Sequence, residues 1–167
     1  MSKYQELSEV YKKEREKFAD SRQQCHGFVT GFVKLLAEYL ECDSGLLEFH
    51  PANVKFDPAS KCQMEDALAM GMDGSWHFML GFRLYAEPNK PPSETVHWEM
   101  SVARGPAGFE LRLHGVHEPY RWPPTFQGRT KTHEALFERL YKAIRHMYAE
   151  GFTRFTDVDG AGRQLRF

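Results

Sequence analysis

The chain has few of the features that announce chemistry or compartment. It holds three cysteines, Cys25, Cys42 and Cys62, and no C-x-x-C pair. That gives no disulfide framework and makes a reducing cytoplasm the plain expectation. No run approaches the roughly 20 apolar residues that a bilayer span requires, so no membrane segment is expected. The opening Ser2-Lys3-Tyr4-Gln5-Glu6 has no apolar core of a signal peptide. Charge of one sign is lacking too: 22 Lys and Arg against 23 Asp and Glu give a net −1, with no global field to draw in nucleic acid. The phosphate loop G-x-x-x-x-G-K-[ST], H-E-x-x-H and G-x-S-x-G are absent. No Cys/His/Met cluster has ligand spacing, so neither metal nor cofactor is expected. RRM, KH and zinc-finger patterns are missing, and acidic residues interrupt the arginines that Tyr120, Trp122 and Phe126 accompany.

What is present is period-2 alternation between Ser75 and Gly115. Trp76, Phe78, Leu80, Phe82 and Leu84 alternate with His77, Met79, Gly81, Arg83 and Tyr85. Val96, Trp98, Met100 and Val102 alternate with His97, Glu99, Ser101 and Ala103, and Phe109, Leu111 and Leu113 with Glu110, Arg112 and His114. Three such runs read as antiparallel strands with one buried face. Arg104-Gly105-Pro106-Ala107 supplies one hairpin, and Glu87 to Glu94, with three prolines, the other. Keeping like faces opposite predicts Leu84 against Val96, Phe82 against Trp98, Val102 against Phe109 and Met100 against Leu111. The outer face then carries a row of Arg83, His97 and His114, with Gly81, Glu99 and Arg112 next to it.

Ser2 to about Cys42 reads as helix. Before Gln24 it is charged, with a narrow apolar stripe through Tyr4, Leu7, Tyr11 and Phe18; from Cys25 to Leu40 it is apolar over most of its circumference. The first part, residues 1–24, is expected either to project as an arm or to fold back near Ala19 to Gln24. Gly27 and Gly31 share one helix face and permit close approach. Asp43-Ser44-Gly45 is read as the stop. Leu46 to Phe49 and Val54 to Phe56 are short strand candidates, and Met64 to Met70 suits either a helical turn or a strand. His114 to Gln127, with three prolines and three aromatics, is either a cap on the core or a wall of a binding site, which makes Tyr120 and Trp122 candidate contacts. Thr132 to Glu150 is a second helix, capped by Thr132 and ended by Gly151. Phe152 to Asp157 suits a last strand, and residues 158–167 a flexible tail.

The expected fold is a single two-layer α+β domain: an antiparallel sheet of about four to six strands, with the N-terminal and C-terminal helices on one face. Two functions fit. One is a small intracellular interaction module, non-enzymatic, that binds a protein partner or dimerises through its N-terminal helix. The other is a ligand-binding protein or enzyme that uses Arg83, His97, Glu99, Arg112 and His114. Two imidazoles and a carboxylate can ligate a metal or move a proton, but the adjacent arginines disfavour a cation and suit an anion.

Overall fold

The longest element starts with a reciprocal cap. The Ser2 hydroxyl accepts from the Gln5 N–H at 3.2 Å, and the Gln5 side chain accepts from the Ser2 N–H at 2.7 Å. From there the computed structural model runs as one helix, α1 (Lys3–Tyr39), with no break at Ala19 to Gln24. The structure describes residues 1–52, 54–150 and 162–167. Residues 1–20 are all exposed, whereas Cys25, Phe28, Val29, Phe32, Val33 and Leu36 are buried. Helix α1 ends before the expected stop. Cys42 N–H donates to the Ala37 carbonyl and Glu41 N–H to that of Glu38, with Glu41 at φ 52. This is the bond pattern with which helices commonly close, here with Glu where Gly is usual.

After α1 come β1 (Leu47–His50), the single turn α2 (Met64–Ala67), β2 (Ala69–Met70), β3 (Trp76–Glu87), β4 (Lys90–Gly105), β5 (Gly108–Leu113), β6 (Tyr120–Trp122), α3 (Lys131–Glu150) and β7 (Arg163–Gln164). Met64 to Met70 is thus both helical turn and strand. Val54 to Phe56 is not a strand, and Phe152 to Asp157 lies outside the described residues. Among the described residues the sheet has seven strands in the order β1-β3-β4-β5-β6, with β2 beside β3 and β7 beside β4, and all pairs are antiparallel except β4 with β7. Of the expected tail, residues 158–161 lie outside the described residues, while Arg163 and Gln164 pair with Val96 and His97 and Leu165 is buried.

The inward side chains of the strands are the expected ones. Trp76, Phe78, Leu80, Phe82, Val96, Trp98, Met100, Val102, Leu111 and Leu113 form one core cluster with α1 and with Leu136, Phe137, Leu140 and Ile144 of α3. Register differs from expectation by two residues in both hairpins. Phe82 faces Val96 and Leu80 faces Trp98; Val102 faces Leu111 and Met100 faces Leu113. The turns explain the difference. Gly105 pairs with Gly108, leaving only Pro106-Ala107 at the tip. Glu87 pairs with Lys90, so Pro88-Asn89 forms the other tip, Asn89 at φ 58. Pro91 and Pro92 do not end β4; they sit where the register shifts between Tyr85 and Glu87, and a bulge needs no ladder donor there. Helix α3 begins one residue earlier than expected. Thr130 caps it: its hydroxyl accepts from the His133 N–H at 3.4 Å.

Candidate functional site

The outer face of the sheet is built around a residue without a side chain. A Cβ on Gly81 would stand 2.9 Å from Thr95 Cγ2 and 3.1 Å from His50 Nε2. Strand β1 reads Leu-Glu-Phe-His, and its alternation sends Leu47 and Phe49 toward the core and Glu48 and His50 over Gly81 and Met79. The segment after β1 then folds across this half of the face. The Phe56 ring lies flat on His97, centroids 3.7 Å apart, and meets His50 at 4.8 Å. His97 is left 7% exposed and His50 is fully buried. The expectation that only one face of the sheet is buried is corrected for this half, which the chain itself covers.

Burial sets the protonation of this cluster. It pushes His97 down to about 4, and the neighbouring His50 adds to the effect. Burial lowers His50 as well, against the pull of Glu48. His50 Nδ1 lies 3.1 Å from Ser60 Oγ, whose hydrogen goes to the Asp57 carbonyl, so the imidazole hydrogen sits on Nδ1. Both rings are neutral, and His97 Nδ1 is buried without a hydrogen bond.

Glu48 is the carboxylate of this half. It is 4% exposed, receives Arg83 Nη2 at 3.1 Å and lies 3.5 Å from Lys61 Nζ. Arg83 therefore bridges strands β1 and β3 instead of standing beside His97; its actual cross-strand partner is Thr95. Replacing Arg83 by methionine keeps the stem and removes the charge that offsets a buried carboxylate. The expected loss is about 2 kcal/mol in chemical denaturation, largely restored by adding Glu48→Gln. Equal losses in the single and double variants would show that the ion pair carries no coupling.

The other half of the face stays open. His77 Nε2 lies 3.1 Å from Asp73 and 3.3 Å from Ser75 Oγ, and its Nδ1 lies 3.5 Å from Glu99. A hydroxyl, an imidazole and a carboxylate in sequence resemble a nucleophile, base and orienter. The hydroxyl hydrogen, however, goes to Asp73 at 2.6 Å, and this bond holds the Asp73 carboxyl far below its usual range. The Asp73-Gly74-Ser75 turn uses its own polar groups, so the serine is not activated. A hollow of about 170 Å³ lies alongside, bounded by His77, Glu99, Ser101, Arg112 and His114.

The sequence-derived row does not assemble. Arg83 and His97 belong to the covered half, while Glu99, Arg112 and His114 border the open hollow. Arg112 faces Ser101 rather than Glu99 and binds Glu110 at 2.6 Å, which also receives Arg121. Burial works against ionisation of Glu110, but the two arginines bring it below the ordinary glutamate value. Tyr120 sits in β6 with its hydroxyl 3.4 Å from Arg139. Trp122 is core: it is 1% exposed and donates to His133 Nδ1 at 3.1 Å. The residues that sequence reasoning missed are Glu48, His50 and Phe56. The signal for the first two was the alternation of Leu47 to His50; Phe56 gave none. Among the described residues no group of three or more His, Cys, Asp or Glu is placed to hold a metal ion, and no helix is long and apolar enough to cross a membrane. Comparison of the chain with known protein families, curated proteins and solved structures finds no match.

Proposed function

We propose that this chain is a protein-interaction module without enzymatic activity, and that the exposed part of α1 pairs with a second copy of itself in antiparallel orientation. One observation carries the reading. Tyr4, Leu7, Val10 and Tyr11 are 78, 69, 60 and 64% exposed along a helix that outreaches its own core, and Phe18, whose ring meets Trp76 at 4.9 Å, is still 48% exposed. Tyr4, Leu7, Tyr11 and Phe18 recur at spacings of three, four and seven, the seam of a two-helix pair. Isolated apolar side chains on a surface need no explanation, but a contiguous stripe on a protruding element does.

Charge selects the orientation. A parallel, in-register pair sets Glu14 of the seam against its own copy and Lys17 beside Arg22 across the flank. An antiparallel pair sets Leu7 against Phe18 and Tyr11 against Glu14, with no like charges opposed. The seam is short, so the dimer is expected to be weak, with a dissociation constant on the order of 1–100 µM.

Sedimentation velocity over a concentration series tests this. The wild type is expected to shift from monomer to dimer, and Leu7→Glu with Tyr11→Glu to remain monomeric with an unchanged melting temperature. A wild-type chain that stays monomeric at every concentration overturns self-pairing. An equally dimeric double variant places the contact elsewhere.

A further inference from the structure

We infer that the groove between α1 and the start of α3 is a binding site for a small, neutral, largely apolar aromatic molecule with one hydrogen-bond acceptor. The groove encloses about 330 Å³ and is lined by Gly27, Phe28, Gly31, Phe32, Phe126 and His133, with Lys34 and Glu38 at its rim. That is the lower end of the size range of small-molecule sites, and the composition is theirs: apolar walls and few polar groups.

Two independent features make it a site rather than a surface irregularity. The first is a bare floor. A Cβ on Gly27 or Gly31 would meet nothing within 4 Å, so neither glycine is there to let another part of the chain come close. Each lowers helix propensity, and no contact within the described residues offsets that. The second is an unused donor. His133 is 1% exposed, and its Nδ1 is approached by Trp122 Nε1 at 3.1 Å and by the Thr130 N–H at 3.1 Å. Nδ1 is therefore an acceptor, and the ring hydrogen sits on Nε2. Trp122 and Thr130 do not line the groove, so the imidazole turns its other edge toward it. No described residue accepts from Nε2, and this atom is not sealed in the core but keeps contact with the groove that His133 lines. Phe126 and Phe28 stand with ring centroids 6.0 Å apart at 78°, leaving faces and edges for a further ring. Lys34 and Glu38 together bring no net charge to the rim, which is why a neutral ligand is assigned.

The probes are acetophenone, which has a ring and a carbonyl acceptor, and ethylbenzene, which has the ring alone. They are titrated into the full-length protein labelled with ¹⁵N. Acetophenone is expected to shift the Gly27, Gly31 and His133 amides and to move the His133 ring-nitrogen resonances. Ethylbenzene is expected to bind the same place about tenfold more weakly. Gly31→Leu fills the groove at an open helical position and is expected to weaken acetophenone at least about tenfold while keeping the melting temperature at or above wild type. Equal affinity for both probes removes the role of His133. Unchanged binding in Gly31→Leu, or shifts confined to Tyr4 to Phe18, removes the site. Groove shifts that follow protein concentration without any probe assign the groove to a second copy instead. The readouts are separate from the dimer: Leu7→Glu with Tyr11→Glu leaves acetophenone binding intact.

Discussion

Replacing Gly108 by alanine is expected to cost about 4 kcal/mol or more, enough to leave much of the protein unfolded. Gly108 opens β5 at φ +121, a conformation L side chains rarely adopt. Space is the larger problem. A Cβ there would stand 1.9 Å from the Trp122 carbonyl oxygen and 2.7 Å from the Pro123 carbonyl carbon. Both are backbone atoms, so no rotamer change relieves the clash, and β6 must leave β5. Trp122 would leave the core with it, and Phe126 would be displaced from Phe28 and Phe109. Gly105, its partner across the same two-residue turn, has open space at its Cβ position. Gly105→Ala is therefore expected to stay within about 1 kcal/mol of wild type. Urea midpoints of the two variants decide the matter, and comparable values would mean that β6 yields without consequence.

Stability is expected to fall steeply as the medium is acidified from about pH 6.5 toward pH 4. Three histidines, His50, His97 and His133, are buried with their pKa values lowered by burial. A group whose folded pKa lies below its unfolded value binds more protons when unfolded, so stability rises with pH across that window and is lost on acidification. For His97 the window runs from 6.5 down to about 4, on the order of 3 kcal/mol when fully traversed. Asp73 and Glu110, held below ordinary carboxylate values, act in the same direction at lower pH. Urea unfolding at about pH 7 and about pH 5 measures the slope, and His97→Phe is expected to flatten it. A slope that is the same in both proteins would mean that His97 is not kept neutral by its surroundings. The first event on acidification is expected at Phe56, because the imidazolium cannot stay dry beneath it.

Which residues face inward was legible from the sequence; how the strands slide against one another was not. A shift of two residues preserves every side chain's face, so the alternation of Trp76 to Tyr85 is equally satisfied by Phe82 against Trp98 or against Val96. Only turn length separates the two, and Pro106-Ala107 and Pro88-Asn89 each close tighter than their breaker content suggested. The polar site suffered from this directly. The row of Arg83, His97 and His114 existed only in the other register. Its coverage by Phe56 was invisible for another reason: a loop residue that stacks on an imidazole has no periodicity to betray it. Gly81 was visible as the one outer-face residue without a side chain, and that vacancy is what admits His50 and Thr95. The core helices were readable throughout because their apolar faces are broad. Even there, Thr130 rather than Thr132 closes α3, since its hydroxyl reaches the His133 N–H.

The bond pair between Ser2 and Gln5 seals the exposed tip of a helix that is buried only from Cys25 onward. A tip sealed this way resists fraying, so the protruding turns form a rod rather than a tether. From Lys3 to Ala19 that rod measures about 25 Å at the ordinary helical rise. Anything gripping its outer end is held at a set stand-off from the sheet, and a change of helical length by one turn would alter that separation by about 5 Å.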